Sequence, residues 1–580
     1  MIADAPLEAY FLEDRAIGDG WFVAAFDHPR IGGGWLAFRE PVRTLTAWTL
    51  GEVQPLLDEV ADADFAAGFV AYDAAPAFDA AFQVRRSQGV PLACFHIYDS
   101  APVFYKELLR TGPDVGPAWE LEIGRERFLE HCAQVRRHLA AGDSYQVNLS
   151  FRLRAANEGS LATLFSSLAA DEPPPFSSLF LAGDLGLASL SPELFFEVSS
   201  GIIRCKPMKG TAPLGEGNAG RLQNSEKDRA ENLMIVDMIR NDLGRVADVG
   251  TVRATSLFDV EAFPTVLQMT STVQASFSGT LREAFCALFP CASIVGAPKV
   301  KTMEIIRDLE ESPRGVYTGA IGFAAPDAAR FSVAIRTIAA VGERLEYGAG
   351  SGIVWDSVPE SEWEETLLKT EVLKHTGPDW GLIETFGWPC EHVDRHLDRM
   401  GQSAGELGVP FDRARAMEVL SGLGEGPLRV RLTLFWDGRI SMDFEPLVVP
   451  GKLRSAIALV PVCSQDPSLR HKTNRRRIYD RALRETGMDE SLLWNERGEA
   501  TEFCKGNLVA RFGDRLVTPP VECGLLPGVL RGLLVERGEV LEEVVRVEDL
   551  AGADEVWRVS SLAGWVSAEL DWPKPQKDVD

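Results

Sequence analysis

At 580 residues the chain exceeds what one hydrophobic core can organise, and ordinary domain sizes divide it into about three or four packed units. Its composition, 46% hydrophobic and 25% charged, is globular, and a formal net charge of -26 withholds the basic footprint of a nucleic-acid binder while allowing a local pocket for a small anion. Nine scattered cysteines without a CxxC pair, an acidic N-terminus without a signal-peptide pattern and no apolar run long enough for a bilayer point to a cytoplasmic protein with reduced thiols.

In chain order, residues 1–115 form an N-terminal portion that ends at a weak break, Thr111-Gly-Pro-Asp-Val-Gly-Pro117. Arg127 to Leu139 then reads as a helix and Gly186-Leu-Ala-Ser-Leu190 as a strand. The turn Ser191-Pro-Glu193 offers a carboxyl group whose pKa burial would raise, suiting it to general-acid work; a solvated turn glutamate fits the same residues. In Arg204-Cys-Lys-Pro-Met-Lys-Gly-Thr211, Gly210 would let the backbone approach a ligand beside Lys209. That amine is a nucleophile if partly desolvated and a plain surface cation otherwise.

Ser225 opens a helix running to Val246 in a pattern like a capping box with Asp228, and on it Asp228 and Glu231 share a face. A later helix, Ser361 to Lys369, places Glu362 and Glu365 at the same spacing. Two such pairs facing one cleft would make an oxygen-rich site for Mg²⁺, although two solvated acidic faces give the same spacing. Phe331-Ser-Val-Ala-Ile335 and Leu345-Glu-Tyr-Gly348 read as strands. Elements mix without a βαβ rhythm, which predicts an α+β fold with substantial antiparallel sheet.

A sharper break follows at Lys374-His-Thr-Gly-Pro-Asp379, so residues 116–374 close the first half and 375–379 form a linker. Beyond it, 380–572 make a second domain and 573–580 a tail. Gly381-Leu-Ile-Glu-Thr385 reads as a strand, and Glu391 to Met400 as a helix with Arg395 at its start beside His396. Lys472 lies in a basic run with Arg475, and Glu502 and Asn507 lie just beyond Asn495. Gly524-Leu-Leu-Pro-Gly-Val-Leu-Arg531 reads as a loop entering a helix N-terminus, where free N–H groups can hold a phosphate. Singly, these residues are also what a surface cation, a solvated basic patch and a turn would supply.

Taken in order, Gly142-Asp-Ser-Tyr-Gln146, Ser191-Pro-Glu193, Lys206-Pro-Met-Lys-Gly-Thr211, Asp228-Arg-Ala-Glu231, Gly296-Ala-Pro-Lys299, Ile335-Arg-Thr337, Gly350-Ser-Gly352 and Glu362-Trp-Glu-Glu365 resemble the chorismate-binding enzymes. The resemblance is strong over about 116 to 374, is to the aminodeoxychorismate synthase branch, and extends loosely over the N-terminal portion. It implies an anthranilate-synthase-like fold of antiparallel sheets with outer helices, acting on chorismate. It implies Glu231 and Glu365 as Mg²⁺ ligands, Asp228 and Glu362 as acidic neighbours acting through water, and Glu193 as general acid. Substrate contacts are implied for Gln146, Thr211, Lys299, Arg336, Gly350, Ser351 and Gly352. Sister enzymes that hydrate the ring carry a lysine at Gln146, and those that aminate C2 carry a small residue at Lys209. The amine of Lys209 therefore implies attack on C2 by the enzyme and amination at C4. Gln268 stands where relatives often have histidine and cannot titrate.

The second set, again in order, resembles the class IV (fold type IV) pyridoxal-phosphate enzymes, which include lyases and aminotransferases. That resemblance implies Lys472 as the cofactor-bearing catalytic lysine, Glu502 as partner of the pyridine nitrogen, Arg395 as a phosphate ligand and Gly528-Val529-Leu530 as the phosphate-binding turn. The two halves then join in one task, amination of chorismate followed by loss of pyruvate to give 4-aminobenzoate for folate. Ammonia would come from a separate glutamine amidotransferase, since no nucleophile-elbow cysteine is evident. The rival expectation is a C2-aminating half joined to an amino-acid aminotransferase or to an inactive domain.

Overall fold

The structure, a computed structural model, describes the chain apart from residues 1–4, 6–10, 14–15, 29–31, 110–116, 170–172, 214, 216, 263–265, 327, 375–380, 425, 465, 467–468 and 572–580. The linker, the tail and all of the weak break but Pro117 lie outside the described residues. Two units are present, Met1–Gly377 and Pro378–Asp580.

In the first unit two large antiparallel sheets are built from strands that the chain deals alternately to each. One sheet runs Gly296–Ala297, Gln146–Ala156, Arg344–Ile353, Thr337–Val341, Leu185–Ser191, Phe176–Ala182, Phe22–His28, Gly32–Phe38 and Val103–Tyr105. The other runs Met208–Pro213, Val266–Ser276, Ile202–Lys206, Leu194–Ser199, Ala328–Val333, Ala320–Ala325, Phe65–Val70, Ala93–Tyr98 and Arg43–Ala47. Unbroken apolar runs such as Phe65-Ala-Ala-Gly-Phe-Val70 are buried at every position, as strands covered on both faces must be.

The N-terminal portion has no core of its own. Phe22–His28 pairs with Phe176–Ala182 in one sheet and Phe65–Val70 with Ala320–Ala325 in the other. Val23 and Val53 accordingly share one buried cluster with Phe151 and Phe285. The boundary at 115/116 is therefore a boundary of motif content only.

Two helices matter for chemistry. Glu226–Leu243 is capped by Ser225, whose Oγ accepts from the Asp228 N–H at 3.3 Å, and it buries Ile235, Val236, Ile239 and Leu243. Pro359–Leu368 begins with proline at its first turn, where the missing N–H costs nothing, and buries Trp363 and Thr366.

The second unit pairs a three-stranded antiparallel sheet, Gly381–Trp388, Leu428–Phe435 and Ile440–Pro446, with an eight-stranded mixed sheet. In the latter, pairing of Ala500–Phe503 with Gly506–Phe512 closes six strands into a ring, leaving those six without a free edge. No helix among the described residues is long and apolar enough to cross a membrane.

Candidate active sites

The first cavity, of about 360 Å³, opens where the ends of the two sheets meet. Lys209 reaches it from a β-bulge: pairing of Met208–Pro213 with Val266–Ser276 slips between Met208 and Thr211. Gly210 makes that bulge possible, with φ +86° and with the Asp228 side chain 2.9 Å from where a Cβ would stand. Thr211 and Gln268 stand opposite each other, and the Gln268 amide donates to the Thr211 hydroxyl at 2.8 Å, so Gln268 holds the bulge rather than a proton.

Glu193 sits where the chain crosses from Leu185–Ser191 in one sheet to Leu194–Ser199 in the other. It is almost fully buried and accepts from the Ser293 hydroxyl at 2.6 Å. Burial pushes its carboxyl up to about 7, against the pull of Ser293 and the Lys209 cation. Glu193 is thus largely protonated below neutrality. Because its folded pKa exceeds the unfolded one, stability should fall as pH rises from about 4.5 to 7, by on the order of 3 kcal/mol from this group. A Glu193→Gln variant should flatten that slope in urea titrations at pH 5 and 8, while losing roughly 10²-fold or more in any turnover that needs a proton from this carboxyl. An unchanged slope and rate would show that Glu193 neither ionises there nor donates a proton.

Asp228 and Glu231 line the cavity from one helix, Glu362 and Glu365 from the other. Burial, with Asp228 and Glu362 nearby, pushes the Glu231 carboxyl up despite the Lys209 and Lys227 cations. Burial opposes ionisation of Glu365 too, yet Lys369 beside it, at 2.8 Å, holds its carboxyl below the usual range. Ser357 donates to Glu362 at 2.7 Å. Among the described residues no three carboxylate, imidazole or thiol groups are gathered closely enough to hold an ion as they stand. The donor set still suits Mg²⁺, which binds through one or two carboxylates and water, and a cation would relieve the crowding of acids around Glu231.

Arg336 lines the cavity with φ +52°, an unusual conformation for a residue with a Cβ, held by the Leu190 N–H donating to its carbonyl at 2.9 Å. Gly350 and Gly352 line it from Arg344–Ile353. A Cβ on Gly352 would stand 2.6 Å from the Gln146 amide nitrogen and 3.3 Å from the Lys209 amine. Gln146 is therefore a close neighbour of Lys209, with both atoms of its buried amide lacking hydrogen-bond partners, but it does not itself line the cavity as a substrate contact would.

Two more expected contacts are corrected. Alternation along the strand turns Ser351 to the other face, where its hydroxyl faces the Glu362 carbonyl at 3.5 Å. Lys299 does not line the cavity: its amine donates to Asp242 at 2.7 Å and to the Leu288 carbonyl at 3.1 Å.

The second cavity, of about 470 Å³, lies in the second unit and brings Lys472, Glu502, Gly528, Val529 and Leu530 together. Lys472 is tied to the small sheet, its carbonyl accepting from the Ile383 N–H at 2.8 Å. Burial lowers its amine to about 8, with Glu384 pulling the other way. Glu502 accepts from the Tyr479 hydroxyl at 2.8 Å and the Leu526 N–H at 3.1 Å, and burial pushes it up to about 7. Gly528 caps the helix Val529–Glu536, and any Cβ there would land on the Asn507 side-chain oxygen.

Arg395 is a further correction. Its guanidinium grips Glu536 at 2.7 and 2.8 Å, stays 44% exposed and does not line the cavity. One turn later Arg399 does, paired with Glu384 at 2.7 and 2.8 Å and donating to the Pro527 carbonyl at 3.0 Å. Burial opposes ionisation of Glu384, but Arg399 and His396 hold it down at about 2. His396 meets Glu384 through Nδ1 at 2.7 Å and leaves a buried Nε2 without a partner. A cavity with a buried lysine, a buried carboxylate and an adjoining helix N-terminus fits pyridoxal phosphate, and the unpartnered His396 Nε2 on its wall fits a polar ligand there.

Residues 38–375 match the model of the chorismate binding enzymes. The chain belongs to that family. Residues 381–569 match the class IV amino-transferases. Aminodeoxychorismate synthase component 1 of Salmonella typhimurium is 38% identical over 59% of this chain and 77% of its own length. Anthranilate synthase component 1 of Streptomyces coelicolor is 39% identical over 44% of this chain and 52% of its own length. The crystal structure of anthranilate synthase component I from Streptococcus pneumoniae TIGR4 shares the fold, with a TM-score of 0.51 and 24% identity over 62% of this chain and 93% of that one.

In this chorismate-binding enzyme, sequence reasoning missed Ser293, Tyr317 and Lys369, all on the first cavity. Lys369 was legible as the residue four after Glu365 on one helix. Nothing local marked Ser293, which reaches Glu193 across 100 residues.

Proposed function

We propose that the chain makes 4-aminobenzoate from chorismate in two steps, one in each unit. In the first, the Lys209 amine bonds to ring carbon C2 as the C4–O bond breaks, and Glu193 protonates the departing hydroxyl so that it leaves as water. Ammonia then bonds to C4, the C2–N bond breaks, and Lys209 is restored. The carrying observation is the bulge that aims an amine into the cavity holding the buried Glu193. Arg336 and the Gly350 and Gly352 backbone would hold the substrate carboxylates.

Glu231 and Glu365 would bind Mg²⁺, with Asp228 and Glu362 acting through water; the ion would neutralise a substrate carboxylate. The component 1 relatives favour a separate amidotransferase subunit as the ammonia source.

The second unit would take up the aminated product. Pyridoxal phosphate supplies an electron sink for the carbon next to the amino group. Lys472 would remove the C4 proton; the C3–O bond breaks, pyruvate leaves and the ring becomes aromatic. Glu502 would hold a proton on the cofactor's ring nitrogen, and Arg399 with the 528–530 turn would face its phosphate.

Lysine and arginines support a lyase over an amino-acid aminotransferase. Arg429, Arg431, Arg476 and Lys505 line this cavity, and Nε of the half-buried Arg431 has no partner. Such a mouth suits a dianion with two carboxylates. Arg431→Ala should raise KM for 4-amino-4-deoxychorismate by about 10- to 100-fold, the worth of a charge-assisted hydrogen bond, with little change in kcat for pyruvate release. An unchanged KM would remove the support for a dianionic substrate.

The decisive experiment identifies products by mass from chorismate, Mg²⁺ and ammonium, with and without pyridoxal phosphate. We expect 4-amino-4-deoxychorismate without the cofactor and 4-aminobenzoate with it. Accumulation of 2-aminobenzoate would overturn the reading.

A further inference from the structure

The first unit holds another cavity of about 360 Å³ that the chemistry above does not use. Arg86, Arg152, Arg154, Arg314 and Arg344 line it, and Glu346 is the only carboxylate that does so among the described residues. Their partners leave a surplus. Arg314 is committed to Glu310 at 2.7 Å and to the Asn148 and Ile294 carbonyls. Arg154 is shared between Glu122 at 2.9 Å and Glu346 at 3.3 Å. Asp73, behind the wall, accepts from the Ser87 and Gly315 N–H groups that shape the lining loops.

Arg152 is the buried one with a donor to spare. Its side chain is 1% exposed, it donates to the Ser150 hydroxyl and to the Phe151 and Pro313 carbonyls at 3.1 to 3.3 Å, its nearest carboxylate oxygen is on Glu310 at 3.6 Å, and its Nε has no partner. Arg344, exposed at the rim, has no side-chain partner among the described residues. Five guanidiniums thus face four carboxylates, counting Glu122, Glu310 and Asp73 with Glu346. A buried cation with a spare donor in a cavity is the pattern that a bound anion completes. The remaining wall is mixed, apolar from Val90, Pro313, Val316 and Val341 and polar from Ser87, Gln88, Ser312 and Thr337, and the Tyr317 ring lies 4.8 Å beneath the Arg152 guanidinium. Cations beside such an apolar stretch favour an organic anion with an apolar body over a fully solvated inorganic one.

We propose that this cavity is a binding site for a small aromatic carboxylate, distinct from both catalytic cavities. Its occupation would be felt in the first of them, because Tyr317 and Gly348 wall both. The tyrosine ring lies flat on the strand there: a Cβ on Gly348 would stand within 2.6 Å of it. A ring so confined cannot yield on one side without moving on the other.

Benzoate is the probe, titrated calorimetrically into the full chain, and no turnover is needed, so the result is independent of the ring chemistry proposed above. One benzoate per chain should bind and should persist in Lys209→Ala and in Arg431→Ala, which alter the other two cavities. The rim variant Arg86→Glu/Arg344→Glu, both positions being exposed, should weaken it by about tenfold or more. No binding to the native chain, equal binding by the rim variant, or loss in Lys209→Ala or Arg431→Ala would overturn the proposal. Displacement by equimolar inorganic phosphate would overturn the carboxylate class.

Discussion

Lys209→Ala is expected to cut C4 amination of chorismate by at least about 10³-fold, leaving only what binding and positioned donors supply without a nucleophile. The expectation rests on position. The bulge between Met208 and Thr211 turns this side chain into the cavity, beside Gln146 and behind Gly352. Without the amine, C2 becomes open to ammonia, and trace 2-amino product should replace the 4-amino one. Mass analysis of the reaction distinguishes the outcomes, and trapping by acid quench should give a mass adduct on native Lys209 that the variant lacks. A 4-amino product formed at the native rate by the variant would end the covalent account. Lys209→Arg is the sharper control, because it keeps the charge that lowers the Glu193 carboxyl while removing an effective nucleophile.

The second large effect is expected from Lys472→Ala. Burial lowers that amine to about 8, so about a tenth of it is neutral at pH 7 and able to take a proton. The variant should still consume chorismate and ammonium in its first unit but should release no pyruvate above about 10⁻³ of the native rate, so that 4-amino-4-deoxychorismate accumulates. Native pyruvate release should also rise with pH through about 8, as the amine loses its proton. If Lys472→Ala formed 4-aminobenzoate normally, the second unit would not be a lyase acting through this lysine.

Much of this was legible in the chain because the chemistry sits in short segments with local signatures. Lys209-Gly210 announces a close approach of backbone, and the two acidic pairs announce shared helix faces. What was illegible depended on direction. Arg395 and Arg399 lie one turn apart on Val393–Glu406, and only the packing of Glu384 against Arg399 and of Glu536 against Arg395 decides which enters the cavity. Ser351 lies between two cavity glycines in sequence but on the opposite face of its strand. Lys299 follows a recognisable Gly-Ala-Pro run, yet Asp242, on a distant helix, claims its charge. The arginine and lysine misses concern which partner a long side chain finds, and that is set by segments remote in sequence; the serine miss concerns which face of a strand the cavity takes.

The interleaving of the first unit's strands constrains how it can come into being. Ala24 lies opposite Ser178, and Val70 opposite Ala320, so the earliest strands wait for mates synthesised some 150 and 250 residues afterwards. Neither sheet can close on a ribosome-bound fragment that stops short of them, and the waiting strands carry exposed apolar surface meanwhile. An expression fragment starting at residue 116 would carry every catalytic motif of this unit and yet leave Phe176–Ala182 and Ala320–Ala325 with bare edges, prone to pair with other chains.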